Sequence, residues 1–207
     1  MSRVLVVSPH PDDESIGCGG ALRKHAVEGD EVRVVFLTSG EMGIPGRKGR
    51  DAARVREVEA EKAAEILGVS SIEFWHEPDG ALRVHRELVG RCAGVLEEWS
   101  PDRIYVTHEG DMHPDHRAAA RLVRHAVPAG DEGPTVLEFE VWTPLKYLSE
   151  IVDITPHIEE KLDAIRCYQS QCDLMRFDDA MLGLNRYRGE MHSWPGGEYA
   201  EVFWSPR

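Results

Sequence analysis

Apolar residues fall along this chain in two rhythms. Residues 3–8 read R-V-L-V-V-S, a β-branched run that ends at a proline, as a strand buried on both faces does. Residues 17–29 follow with Ala21, Leu22, His25 and Ala26 at helical spacing. Residues 31–38 predict a second strand, 51–67 a long amphipathic helix closed by Gly68, and 71–76 a third strand. Residues 86–100 predict a helix, 103–107 a fourth strand, and 115–126 another helix. Strand and helix thus alternate through about residue 126, which predicts an α/β fold with a mostly parallel sheet and helices on both faces. The last third is less regular. Residues 135–143 alternate with period two and predict a strand. Thr155-Pro156 opens a helix carrying Ile158, Leu162, Ile165 and Tyr168 on one face. Residues 173–200, rich in Gly, Arg and aromatics, are expected to wrap the site, with Trp194–Gly197 as a lid or a plain loop.

Two charged motifs stand directly after predicted strands, where α/β sheets bind ligands. The first is Pro9-His10-Pro11-Asp12-Asp13-Glu14. One imidazole and three carboxylates within five residues repel each other and are costly to bury unless a cation compensates. Mixed imidazole and carboxylate donors suit zinc, with iron, cobalt or manganese as other divalent options. The second motif is His113-Pro114-Asp115-His116. A catalytic zinc takes three protein ligands and keeps one position open. His10, one Asp of the first motif and one His of the second supply such a set; the remaining His can meet substrate, with Asp115 orienting it. Glu14 reads as a cap or supporting carboxylate. Gly17, Gly19 and Gly20 lack the G-x-G-x-x-G spacing of a dinucleotide turn and predict close packing of the first helix or close approach of a small substrate.

Composition narrows the choice. The 207 residues suit one domain, and a net charge of −13 disfavours nucleic acid and anionic membranes as partners. No run of about 18 apolar residues occurs, so no membrane span is expected. The four cysteines, Cys18, Cys92, Cys167 and Cys172, form no C-x-x-C pair, and a cytoplasmic setting with reduced thiols is expected. Cys18, close to the first motif, can line the site.

P-H-P-D-D-E after the first strand and H-P-D-H after a later one resemble the LmbE-like, or PIG-L-type, zinc-dependent de-N-acetylases. Arg56-x-x-Glu59, Pro78-Asp79-Gly80, Lys161, Tyr168-Gln169-Ser170-Gln171 and Ala200-Glu201-Val202-Phe203 match the family in order, so the resemblance covers most of the chain. It implies a single Rossmann-like domain over 1–207, with a core through 126 and a C-terminal part, 127–207, that completes the site. It implies one zinc held by His10, Asp13 and His116, Asp12 as general base, and His113 stabilising or protonating the reacting group with Asp115 behind it. Arg56 and Asp79 are the substrate-binding candidates. Some members carry a tyrosine two residues before H-P-D-H; Asp111 stands there, leaving Tyr187 and Tyr199 as alternatives. The expected reaction is hydrolysis of an N-acetyl group from an N-acetylglucosamine-type amino sugar, in a chain that can form homo-oligomers. The competing expectations are a metal-dependent amidase for another acyl group or a thiol conjugate, and a metal- or sugar-binding module without turnover. Phosphoester hydrolysis commonly needs two metals, and ligands for one are in view.

Overall fold

The computed structural model describes residues 1–128, 130, 133–192 and 197–206. The first half alternates β1 (Arg3–Ser8), α1 (Asp13–Val27), β2 (Glu31–Phe36), α2 (Arg50–Leu67), β3 (Ser71–Phe74), α3 (Arg86–Trp99), β4 (Arg103–Thr107) and α4 (Pro114–Ala126). The second half adds β5 (Thr135–Phe139), β6 (Glu150–Asp153), α5 (Ile158–Cys167), the single turn α6 (Gln169–Cys172), α7 (Phe177–His192) and β7 (Ala200–Trp204). One sheet results, in the order β3-β2-β1-β4-β5-β7-β6. β1 to β5 are parallel, and β7 runs antiparallel to both β5 and β6.

The all-apolar run of β1 is explained by its position. Val4 and Val6 face one core with α1, α2 and α5, while Leu5 and Val7 face another with α3 and α4. Strand order reverses between β1 and β4, so the segments that follow these two strands meet at the switch point of the sheet. Those segments carry the two charged motifs.

Several boundaries differ from expectation. The helix expected from residue 17 starts at Asp13, because Asp13 and Glu14 sit favourably in a first turn. The strand expected over 135–143 stops at Phe139: Trp142 and Thr143 turn away and donate their N–H groups to Asp111 Oδ2 at 3.1 and 3.2 Å. Residues 173–200 hold helix α7 and the start of β7; Phe177, Met181 and Leu184 give α7 its apolar face. Trp194 falls outside the described residues.

The glycines after the first motif serve packing. A Cβ on Gly17 would lie 2.0 Å from Phe139 Cδ2, and one on Gly20 2.7 Å from Ile154 Cβ. Helix α1 also kinks at Cys18, whose φ is −141°. Beyond the kink, Gly20 and Ala21 donate their N–H groups to Glu201 Oε1 and Oε2 at 2.9 and 2.7 Å. Lys161 Nζ stands 2.6 Å from Glu201 Oε1, and both side chains are buried. A charged cap from the far end of the chain thus starts the second half of the first helix.

Candidate active site

The loop after β1 aims its side chains through two restraints. Asp12 takes φ 129°, a backbone conformation that L-residues rarely adopt. The buried Glu14 carboxylate holds it there, accepting from Asp12 N–H at 3.1 Å, Ser15 Oγ at 2.6 Å and Tyr168 Oη at 2.6 Å. The second motif is shaped by α4. His113 is its N-cap: Asp115 N–H donates to His113 Nδ1 at 3.2 Å. An accepting Nδ1 leaves the proton of the neutral ring on Nε2.

The two motifs converge on Asp13. Its Oδ2 lies 3.0 Å from His10 Nδ1 and 3.2 Å from His116 Nε2. These spacings match a tetrahedron edge of about 3.3 Å for ligand bonds of about 2.0–2.1 Å. His116 is fully buried, yet neither ring nitrogen has a hydrogen bond of acceptable alignment. Such an orphaned polar atom costs about 1–3 kcal/mol, which a shared cation would remove. The nitrogens of His10, His113 and His116 also gather within 4.8 Å, as do ligand atoms of His10, Asp79 and Asp115. In the first of these groups His113 Nδ1 is already occupied by Asp115 N–H. The second is a carboxylate clamp: Asp115 Oδ2 and Asp79 Oδ1 each lie 3.2 Å from His10 Nε2. His10, Asp13 and His116 therefore have the donor types and spacing that fit zinc, with carboxylates orienting the His10 ring from behind.

Electrostatics separate the two neighbouring aspartates. Burial opposes charge on Asp13, but His116 and His10 beside it hold its carboxyl far below the ordinary range. Burial pushes the Asp12 carboxyl up to about 7, against the pull of Arg56, whose Nη2 is 3.0 Å from Asp12 Oδ2. Burial likewise disfavours charge on His116, yet Asp13 and Asp111 raise its pKa to about 9. His113 moves the other way: burial and then the positive His10 and His116 lower its pKa, which keeps the ring neutral.

The structure brings together all eight residues singled out in the sequence and corrects some of their relations. Asp115 does not back His113. Its carboxylate is drawn to His10 and to the N–H groups of Gly80 and Leu82, at 2.7 and 3.1 Å. Asp79 reaches His10 and accepts from Met42 N–H at 2.8 Å, and Arg56 is buried against Asp12 and the Pro11 carbonyl. Neither Tyr187 nor Tyr199 lines the cavity, and Cys18 is buried within α1, donating to the Glu14 carbonyl one turn earlier. Sequence reading missed Asp111. Buried beside the second motif, it accepts from the N–H groups of His113, Trp142 and Thr143 and lies 3.5 Å from His116 Nδ1. Its signal was its place two residues before His113.

Above these residues opens a cavity of about 310 Å³. Its floor is His10, Asp12, Asp13, Arg56, Asp79 and His113. Its upper wall is mostly apolar, from the loops after β2 and β5 and the α6–α7 connection.

Comparison with known proteins places this arrangement. Diacetylchitobiose deacetylase of Thermococcus kodakarensis is 31% identical over 191 residues, spanning 83% of this chain and 70% of its own. The structure of N,N'-diacetylchitobiose deacetylase from Pyrococcus horikoshii matches with a TM-score of 0.86 and 28% identity, over 98% of this chain and 83% of its own. 4-Oxalmesaconate hydratase of Pseudomonas putida is 33% identical over 199 residues, spanning 84% of this chain and 75% of its own. The family model described as GlcNAc-PI de-N-acetylase matches residues 5–127, which contain both motifs, and the chain belongs to this PIG-L, or LmbE-like, family.

Proposed function

We propose that this chain is a zinc-dependent hydrolase that removes the acetyl group from an N-acetylated amino sugar, releasing acetate and a free amine. The observation that carries the reading is the convergence of His10 and His116 on Asp13 Oδ2, at 3.0 and 3.2 Å, beside the separately held carboxylate of Asp12. On this reading His10, Asp13 and His116 hold the metal. Bound there, zinc supplies Lewis acidity towards the amide carbonyl and the attacking water.

The chain's own groups do the rest. Asp12, raised to about 7 by burial, is matched to accepting the proton of water near neutral pH. Arg56 fixes its position and limits that rise. His113, neutral with its proton on Nε2, donates a hydrogen bond to the oxygen on which negative charge develops. Asp12 then returns its proton to the leaving nitrogen, because His113 starts without a second proton to give. Asp115 and Asp79 keep the His10 ring aimed. Arg56 and Asp79 lie in the cavity floor, where they meet the ring or its substituents.

A second reading, addition of water to a carboxylate substrate, is favoured by the hydratase relative. The cavity argues against it. Among the described residues that line it, Arg56 is the one Lys or Arg side chain, and Asp12 and the Pro11 carbonyl already engage it. Beyond the proposed metal, a substrate with several carboxylates meets no free Lys or Arg among these residues. The test is acetate release from N-acetylglucosamine derivatives with purified protein, chelated protein, zinc-restored protein and Asp12→Ala. Activity lost on chelation, restored by zinc and absent in Asp12→Ala supports the proposal. A tightly bound metal without acetate release from any sugar refutes it.

A further inference from the structure

We propose that the mouth of this cavity is an apolar subsite for an alkyl or aryl substituent carried by the amino sugar, which makes a substituted glycoside or amide, and not a second sugar ring, the preferred substrate. The inference rests on the hydrolase reading and adds to it the class of group beside the reacting ring.

The cavity is two-sided. Its floor is charged, and its upper wall is Met42, Val141, Trp142, Leu174, Met175 and Phe177. Four of these remain unusually exposed for their type: Met42 55%, Trp142 40%, Leu174 50% and Met175 43%. Apolar side chains gathered around one opening, directly above a polar reaction centre, are what a ligand with an apolar part would cover.

The wall is held in place before any ligand arrives. Asp111, the carboxylate beside His116, accepts from Trp142 N–H, and the Trp142 ring packs edge-on against Phe177 at 5.7 Å between centroids. Leu174 and Met175 N–H both donate to the Gln171 carbonyl, at 3.0 and 3.1 Å, and Phe177 N–H to the Met175 carbonyl at 2.8 Å. A wall ordered in advance spares the ligand the entropy of ordering it.

Two polar groups at this level are already committed. The Gln171 amide donates to the Gly43 carbonyl at 3.3 Å and to Ser170 Oγ at 3.1 Å, and Asp79 Oδ2 accepts from Met42 N–H. A hydroxyl-rich second ring pressed against this wall would exchange hydrogen bonds to water for contacts with methyl, thioether and aryl groups, which is unfavourable. The cavity's 310 Å³ stands at the low end of the about 300–1,000 Å³ of small-molecule sites, room for one ring and a modest substituent. The floor also lies within the segment matched by the family model, 5–127, whereas Val141, Trp142, Leu174, Met175 and Phe177 lie beyond it. Selectivity can therefore vary in the wall while the floor stays the same.

The test compares methyl, butyl and phenyl glycosides of N-acetylglucosamine with its β-linked disaccharide, using zinc-loaded protein and reading kcat/KM. A parallel arm compares N-acetyl with N-butyryl methyl glycosides. Butyl or phenyl should exceed methyl by about tenfold, mainly through KM, less than the about tenfold per methylene of an enclosed pocket because this wall is open on one side. A gain in the glycoside arm assigns the wall to the aglycone, and a gain in the acyl arm assigns it to the amide; either supports the subsite. Leu174→Gln and Trp142→Ala should bring the butyl-to-methyl ratio close to one, and a ratio taken within one variant is insensitive to how much of it folds. Ratios near one in both arms of the unmodified protein, or a disaccharide that outperforms the butyl glycoside, overturn the subsite and leave the hydrolase reading standing. If no glycoside is hydrolysed, the hydrolase reading fails, and calorimetric binding of butyl against methyl glycoside still decides the subsite: equal or undetectable binding sinks it.

Discussion

Removing the Glu14 side chain should disable turnover while leaving the metal in place. Glu14 Oε2 accepts from Asp12 N–H, and Oε1 accepts from Ser15 Oγ and Tyr168 Oη, all in the buried interior. The bond to Asp12 restrains a residue at φ 129°, where backbone strain is about 1–3 kcal/mol. In Glu14→Ala that strain is released by rotation of Asp12 out of its aim, so the competent geometry becomes the minor one. A bias of that size lowers kcat by about five- to 150-fold. Glu14→Gln separates aim from charge. Its amide oxygen can accept from Asp12 N–H while its NH₂ donates to the two hydroxyls, which turn to accept. On the proposed roles, Gln should keep kcat within about threefold of the parent while Ala does not. The assay is steady-state kcat alongside metal content measured by mass spectrometry. A Glu14→Ala protein that folds, keeps its metal and turns over within about twofold of the parent refutes the reasoning, since the strain would then be worth less than about 0.5 kcal/mol. A Gln variant as impaired as Ala refutes it too, because charge and not aim would be what Glu14 supplies.

Other parts of the structure carry their own expected outcomes. Lys161→Met leaves the buried Glu201 without its cation and should lower stability by about 3–5 kcal/mol in urea unfolding; a loss under about 1 kcal/mol would mean that the two backbone N–H donors alone hold that carboxylate. Gly17→Ala places a methyl 2.0 Å from the Phe139 ring and should cost at least about 1–3 kcal/mol, and an unchanged Tm would show that the ring has room to move. Arg56→Met removes the positive neighbour that holds the Asp12 pKa down, so the acid limb of the kcat/KM profile should move to higher pH; a limb that stays or moves lower counts against Asp12 as base. Metal uptake by the metal-free protein should release protons, because His116 stays charged up to about 9 and His10 is held charged as well. Apparent affinity should therefore rise with pH, by about one to two log units per unit around neutrality; a flat profile in a competition titration would contradict that protonation state.

The parts of the fold that could be read from sequence are those set by local pattern. β1 and β4 are bounded as their apolar runs predict, and α2 ends at Gly68, whose φ of 75° suits glycine. The switch point followed from the order of elements, and with it the meeting of the two motifs. What escaped was settled by tertiary partners. The strand expected to reach residue 143 gives way because Asp111, a carboxylate from another loop, captures the N–H groups of Trp142 and Thr143. Helix α7 was hidden by its Arg and Gly content, yet Arg188 is buried because Glu140 pairs with it at 2.7 Å, a relation across nearly fifty residues that no local window contains. Within the site, which side chains gather was legible and their orientations were not. Asp115 was expected behind His113 because it is nearby in sequence, but its carboxylate follows the Gly80 and Leu82 N–H groups towards His10.

That separation bears on why this chain is similar both to deacetylases and to a hydratase. On the proposed roles, Asp12 beside a metal site and His113 with a proton on Nε2 form a general device: one group takes a proton from water, and the other meets an oxygen as it becomes negative. Amide hydrolysis and addition of water to an activated double bond both need these two events. The floor alone therefore does not select the reaction. Selection falls to the groups that hold the substrate over it, and here they offer one committed arginine and a wall of thioether, aliphatic and aryl side chains. Among the described residues that line the cavity no free Lys or Arg would offset the desolvation of a substrate with several carboxylates, so the proposed metal would be left to meet them alone. On the proposed reading a neutral acetamide on a ring with an apolar substituent would incur no such cost, its carbonyl oxygen meeting the metal site and His113 and its substituent the wall. The same floor beneath a wall carrying free arginines would favour the opposite choice, so on the proposed reading the specificity of this chain would rest largely on wall residues that lie beyond the family-model match, Val141, Trp142, Leu174, Met175 and Phe177.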